Sequence, residues 1–332
     1  MRTRPEGLSD RDVCDAVAAG WALRVDEASY LPVGFGSHHW LTSIEGRQWF
    51  VTVDDLDTRL TTSAEQRPAA VVRLAAALEA ARSLRDAGLD FVVAPERTAK
   101  GEVLHRLDKH AGRFVAALYP FVDGVTHEWG AFETKVERRA VVDRLIDLHQ
   151  IDVAVVGACR VDDFAIPRRC ELDRYLSATG QAQDAGPFTE PAIRRLAANA
   201  QGLRERLAEY DELVAVVAGA SGRRLVVTHG EPHRANTITT PAGVVLIDWD
   251  TTLIAPPERD LTTAIGEDEE LAAEYTARTG WGLDPGALAL YRARWALSDI
   301  SLFSHQLAEP HVDTEDNRVA LRELERYLSS DG

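Results

Sequence analysis

The sequence predicts an α+β chain of two lobes, a small and mostly antiparallel β lobe followed by a larger helical one. Three observations carry this reading. Short β-prone apolar runs punctuated by Gly and Pro crowd into the first 120 residues, with one long helical pattern among them. Beyond residue 130, apolar residues recur at helical intervals over long stretches. Between those helices stands an extended stretch, 225–250, in which polar residues follow two apolar runs. The expected division is 1–120 for the first lobe with the start of the hinge, and 121–332 for the second.

Taken in order, 10–19 reads as a short helix stopped near Gly20. An extended run leads into Gly34-Phe35-Gly36-Ser37, and 40–44 and 48–53 read as strands joined by a Glu45-Gly46 turn. Strand, glycine-rich loop and strand can lay backbone N–H groups over a phosphate, although an ordinary hairpin accounts for the same residues. Over 68–87, Val71, Leu74, Leu78, Ala81 and Leu84 recur at helical spacing, and Gly88 ends the pattern. Glu79 there is either a functional ion-pair partner or a solvated carboxylate. Strands are expected at 100–104 and 114–119, around a turn at 109–112. Tyr119-Pro120-Phe121-Val122-Asp123-Gly124 reads as the exit hinge, because Pro removes a donor and Gly permits a turn. Tyr119 or Phe121 could pack there on a flat base, or simply on the hinge itself.

The second lobe opens with a helix over 132–150, whose buried face is expected to include Val136, Val141, Val142, Leu145, Ile146 and Leu148. His149 reads as a structural residue near its end. Helices over 167–175 and 191–218 follow, with a connection at 180–187. After the extended stretch come a rigid exit at 255–258, a helix over 259–265, and another begun by Glu267-Asp268-Glu269-Glu270, where carboxylates favour the positive end of the helix dipole. A long helix over 291–306 carries Trp295, Asp299, Phe303 and His305, and 321–328 closes the chain.

Composition bounds the function. The 53 acidic and 37 basic residues leave a net charge of -16, which argues against nonspecific binding of nucleic acid and would favour a cationic small molecule. No apolar run is long enough for a membrane span, and MRTRPEGLSDRDV has no apolar signal core. Cys14, Cys159 and Cys170 are scattered without metal-ligand spacing, as expected of a cytoplasmic protein. Oligomeric state leaves no mark in the sequence.

The chemistry concentrates in 226–250, VVTHGEPHRANTITTPAGVVLIDWD. A Thr240-Pro241-Ala242-Gly243 turn reads as a hairpin. Asn236 offers an amide oxygen and Asp248 a carboxylate, which together can hold Mg²⁺ with phosphate oxygens and water. Glu231 can accept a proton from a substrate hydroxyl. His229 reads as a loop-fixing residue and Asp250 as a supporting acceptor. His229 and His233 show HxxxH spacing, but Pro232 argues against a helix, and no third His or Cys is near enough to favour zinc.

These residues resemble the aminoglycoside phosphotransferase family of the protein-kinase-like superfamily. The resemblance rests on His229-Gly230-Glu231-Pro232-His233-Arg234-Ala235-Asn236, Val245-Leu246-Ile247-Asp248-Trp249-Asp250 and Ala255-Pro256-Pro257-Glu258-Arg259-Asp260-Leu261. It implies a bilobal protein-kinase-like fold, ATP and Mg²⁺ as cofactors, Glu231 as base, Asn236 and Asp248 as metal ligands, and Asp260 as support for the catalytic loop. It implies a nucleotide-positioning loop at Gly34 to Ser37 and a hinge at Tyr119 to Val122. Within the family, spectinomycin phosphotransferase-like members and related natural-product kinases are the nearer match, which implies a polar or cationic acceptor with a hydroxyl, and antibiotic resistance as one setting. Trp295 and Asp299 are candidate acceptor contacts, together with the acidic run at 267–269.

Two departures stand out. Glu231 replaces the family's Asp, and Thr52 occupies the strand position where the family places a phosphate-contacting Lys. Thr52 cannot supply an ammonium charge; Lys100 or Arg106 could enter the pocket instead. A nucleotide-binding interaction protein with weak or lost transfer is therefore an alternative reading, and a protein kinase a more distant one.

Overall fold

Pleating sorts the first lobe. The computed structural model describes residues 1–107, 111–177 and 185–329. Helix α1 (Asp10–Trp21) starts at a capping box: the Ser9 hydroxyl accepts from the Asp12 N–H, and the Asp12 carboxylate takes the Ser9 N–H. Then follow β1 (Val25–Leu31), β2 (His38–Ile44), β3 (Arg47–Asp55), α2 (Arg67–Asp86), β4 (His105–Arg106) and β5 (Phe114–Pro120). The strands form one antiparallel sheet in the order β1-β2-β3-β5-β4. On one face Trp40, Val51, Val53, Ala116 and Leu118 bury against Val13, Val17 and Trp21 of α1. On the other, Val115 and Ala117 pack on Leu74 and Leu78 of α2, while Phe50, Thr52 and Tyr119 stay only half covered.

The expected strand over 100–104 is absent. Gly101 adopts φ +83° and closes a turn in which the Thr98 N–H donates to the Glu102 carbonyl at 2.7 Å. Pairing with β5 begins only at His105. The expected turn at 109–112 lies partly outside the described residues, as does most of the 180–187 connection.

The second lobe contains β6 (Val125–Thr126), α3 (Lys135–His149), α4 (Arg169–Ser177), α5 (Thr189–Ala198), α6 (Ala200–Gly219), β7 (Val226–Thr228), β8 (Thr237–Thr240), β9 (Gly243–Leu246), β10 (Leu253–Ala255), α7 (Glu258–Ala264), α8 (Glu269–Thr279), α9 (Pro285–Ala308) and α10 (Glu315–Ser329). One core joins α3 to the central strands through Val141, Leu145, Val227, Leu246 and Trp249. A second lies among α4, α5, α6, α9 and α10. Val136 is 78% exposed, against expectation. It stands five residues before Val141, roughly 140° around the helix from the buried stripe. The helix expected over 191–218 is broken at Asn199, whose side-chain amide donates to the Arg195 carbonyl at 2.9 Å while its backbone leaves helical geometry.

Contacts between the lobes are specific. Val92 makes a parallel bridge to Leu246. Past β5, β6 pairs with β8. A Cβ on Gly124 would lie 2.7 Å from the Thr239 carbonyl oxygen, so the connecting chain can run this close only as glycine. The observed architecture is the bilobal one expected, with an antiparallel sheet in the first lobe and helices dominating the second.

Candidate active site

Two short antiparallel pairs set the central loops. β7 pairs with β10, and β8 with β9 through the turn at 240–243. Residues 229–236 leave β7 and enter β8, while 247–252 leave β9 and enter β10. The Ile247 N–H donates to the Asn236 carbonyl at 3.0 Å, tying the two loops together.

Asp260, fully buried at the start of α7, is the loop's anchor. Its carboxylate accepts from the His229 N–H at 2.8 Å and the Gly230 N–H at 2.6 Å, and meets His149 Nε2 at 3.1 Å. Burial opposes its charge, but His149, Arg259 and His229 together hold the carboxyl below the usual range. His149 Nδ1 in turn meets the Tyr275 hydroxyl at 2.9 Å. His229 Nδ1 accepts from the Glu231 N–H at 3.2 Å, so Nε2 carries the proton donated to the Ile247 carbonyl at 2.9 Å. Burial pushes this imidazole down to about 4, leaving it neutral at pH 7. Gly230 has φ +102°, and a Cβ there would meet the Arg259 guanidinium at 2.4 Å.

Glu231, Asn236, Asp248 and Asp250 converge beyond this anchor. Glu231 Oε2 lies 3.7 Å from His233 Nε2. Burial works against the Glu231 charge, yet His233, His229 and Arg259 hold its carboxyl below the usual range, so it is an ionised acceptor at neutral pH. The Asn236 amide nitrogen donates to the Glu231 carbonyl at 3.0 Å and lies 3.2 Å from His233 Nε2. Its Oδ1 has no hydrogen-bond donor among the described residues. Asp248 adopts φ +65°, a left-handed backbone uncommon outside glycine. Desolvation in this crowded site, then the charges of Asp250 and Glu231, push its carboxyl well above the usual range. A free amide oxygen beside crowded carboxylates is a hard-oxygen donor set that a divalent cation would relieve. No group of three or more His, Cys, Asp or Glu side chains forms a ready metal cage among the described residues. The donors thus fit Mg²⁺, which usually keeps phosphate and water ligands, rather than zinc.

Above this cluster lies the glycine-rich loop. Gly34 and Gly36 adopt φ +73° and +88°. Phe35 stacks edge-on against Phe303 of α9, their centroids 5.7 Å apart. The Ser37 hydroxyl turns inward and donates to Asp54 at 2.9 Å. Thr52 is paired with His39 and Ala117 across the sheet. Burial first, then the charges of Asp54, Asp248 and Asp250, hold the Tyr119 hydroxyl protonated. Phe121 is exposed and Val122 half-buried at the hinge.

Trp295 and Asp299 reach the same site from α9. Trp295 Nε1 donates to the Tyr327 hydroxyl at 3.1 Å, which donates to Asp299 at 2.7 Å. Burial pushes the Asp299 carboxyl up to about 7, with Tyr327 opposing and Glu231 adding to the shift. The Trp295 ring lies 6.1 Å from His233, and Trp129 packs 4.2 Å from His233 and 6.0 Å from Trp295. Two members of the acidic run have partners within the helical lobe. Asp268 caps α8, and Asp268 and Glu270 pair with Lys135.

The model for APH, the phosphotransferase enzyme family, matches residues 35–291, well over half of the chain. The chain belongs to this family. It is 29% identical over 258 residues to the protein StrN of Streptomyces griseus, covering 76% of each chain. A crystal structure of spectinomycin phosphotransferase in complex with ADP and spectinomycin matches with a TM-score of 0.71 at 15% identity, over 97% of this chain and 95% of that one. A microcompartment-associated aminopropanol kinase matches with a TM-score of 0.62 at 15% identity, over 96% and 95%. The fold is that of the aminoglycoside phosphotransferase and protein-kinase-like group, and the family makes this chain a small-molecule phosphotransferase.

Three residues named from the sequence lie away from this cluster, whereas Arg59 and Trp129 join it without having been named. Glu79 pairs with Arg97 on the surface. Lys100 lies in the exposed 98–102 turn and Arg106 on the edge strand β4, across the sheet from the glycine-rich loop. The guanidinium among the acids belongs to Arg59, whose only sequence signal is its place shortly after the Asp54-Asp55 end of a strand. Trp129 comes from a loop with no periodic pattern.

Proposed function

We propose that the chain transfers the γ-phosphoryl group of ATP to a hydroxyl of a small polar or cationic natural product, of aminocyclitol or aminoglycoside type. The observation that carries this is the convergence of Glu231, Asn236 and Asp248 in two loops bound to each other and anchored by Asp260. Asn236 Oδ1 and the Asp248 carboxylate would hold Mg²⁺, which when bound supplies charge neutralisation and alignment of the phosphates. Glu231 orients the acceptor hydroxyl and takes its proton at a carboxylate oxygen as the phosphoryl group leaves ADP. His229, neutral and bonded through both nitrogens, fixes the backbone beneath Glu231 and takes no proton. Asp250 and Asp260 act as supporting residues. Phe121 and Val122 offer the hinge for the base. Trp295 and Asp299 form the wall against which a cationic acceptor lies, a reading supported by their nearness to His233 and Glu231. ADP and spectinomycin in the matched structure support the choice of nucleotide and acceptor class. Antibiotic modification in the cytoplasm is the proposed setting.

Thr52 favours a second reading, a nucleotide-binding protein without efficient transfer. Incubation with ATP, Mg²⁺ and a panel of aminocyclitols, aminoglycosides and hydroxylated nucleosides, followed by mass spectrometry, separates the two. A Mg²⁺-dependent phosphorylated product that disappears in Asp248→Asn is expected. ATP binding without product from any member of the panel would favour the second reading.

A further inference from the structure

We propose that Arg59 supplies the phosphate-binding charge that strand β3 lacks at Thr52. The inference rests on the reading of the cleft as an ATP site. Arg59 follows β3, and its guanidinium makes contacts from three directions. Nε donates to Asp54 Oδ1 at 2.9 Å, and Nη2 donates to the same oxygen at 2.5 Å and to Ser37 Oγ at 2.7 Å. Nη1 donates to Asp250 Oδ2 at 2.6 Å. One side chain thus touches the end of the glycine-rich loop, the end of β3 and the segment just past Asp248. A Cβ on Gly36 would lie 3.7 Å from Nη2, so the loop lies directly against the guanidinium.

The side chain is held rather than merely present. Arg73 of α2 donates to the Arg59 carbonyl and pairs with Glu65, which also accepts from the Thr61 N–H at 2.5 Å. The segment after β3 is therefore clamped to the helix beside it. A guanidinium has five N–H donors; four are used here, and the second on Nη1 stays free beside Asp250. Among the described residues, no other arginine or lysine side chain bonds to Asp54, Asp248, Asp250 or Glu231. The planar fork of this guanidinium can bind a nucleotide phosphate under the loop while keeping Asp54. The cation has moved from the strand to the segment after it, with Asp54 as its buried carboxylate partner.

Titration calorimetry tests this without reference to transfer. Mg²⁺-ATP and adenosine are titrated into wild type, Arg59→Met, and Arg59→Met with Asp54→Asn, the last removing the buried acid that would otherwise lose its partner. ATP affinity is expected to fall roughly 10- to 100-fold in both variants, with adenosine affinity unchanged. Unchanged ATP affinity, or an equal loss for ATP and adenosine in the folded double variant, would overturn the assignment and leave Arg59 as a latch between lobes. Wild type that binds adenosine and ATP equally would also overturn it. Wild type that binds neither would overturn the nucleotide reading itself.

Discussion

Glu231 is one methylene longer than the aspartate usual at its position, and its surroundings show how that length is accommodated. Its N–H is held by His229 Nδ1, its carbonyl by Asn236, and its carboxylate stands beside His233. A misplacement of about 1 Å can cost about 100-fold in rate, so these restraints matter. Asp248→Asn removes the proposed metal ligand while keeping shape. Mg²⁺-ATP binding measured by calorimetry should weaken at least as much as the roughly 10- to 100-fold typical of losing a supporting residue in a metal site. Affinity that is the same with and without Mg²⁺ in wild type would exclude Asp248 from that role. At Asp260 the expectation concerns stability. Its folded-state pKa is depressed, so its contribution is present above the unfolded carboxylate range and is lost as pH falls through the folded value. Asp260→Ala leaves His149 Nε2 and two loop N–H groups without their partner, and urea unfolding at pH 7 should show a loss of about 3–5 kcal/mol. Such residues were readable because the residue types and spacings persist in the sequence. Arg59 was not, because its role depends on how the segment after β3 folds back toward Asp250, which no periodicity records.

At the level of elements, the hairpin of β8 and β9 was readable from Pro241 and Gly243 between β-prone runs, whereas the partner of β7 was not. β7 pairs across to β10 rather than to the neighbouring hairpin, and nothing local in Val226 to Thr228 selects that partner. Local chemistry also misled twice. The β-prone residues of 100–104 yield to the Gly101 turn, and the helical pattern across 191–218 hides the break at Asn199. Gly230 shows a tertiary demand fixing one residue: its left-handed backbone and the adjacent Arg259 leave no room for a Cβ. Gly230→Ala is expected to cost about 1–3 kcal/mol and to slow transfer by moving Glu231, as followed by thermal unfolding and product formation. An unaltered melting temperature would show that the loop adjusts freely.

Across the whole molecule, the lobes meet through Arg59 and Asp250, Phe35 and Phe303, and Val92 and Leu246. The two-lobed plan was evident in the shift from short β runs to helical periodicity, but none of these long-range pairs was. The net charge of -16 favours a cationic acceptor in general, while Asp299 is the proposed location of that preference. Asp299 faces Tyr327, Arg326 and Glu323 of α10 and Glu231 of the catalytic loop, and burial first among these causes raises its carboxyl to about 7. Its raised value means that stability falls as pH rises from the unfolded carboxylate range through about 7. Cation binding runs the other way, because the ionised acid is the binding form. Affinity for an ammonium-bearing acceptor should rise between pH 6 and 8, and Asp299→Asn should flatten that rise; a pH profile identical in the variant would remove Asp299 from the acceptor site. Glu231 is the proposed base of a working phosphotransferase. Single-turnover transfer at saturating Mg²⁺-ATP and acceptor measures that role. Glu231→Gln is expected to slow the phosphoryl step roughly 10²- to 10⁴-fold with ATP affinity intact, whereas transfer at the wild-type rate would contradict it.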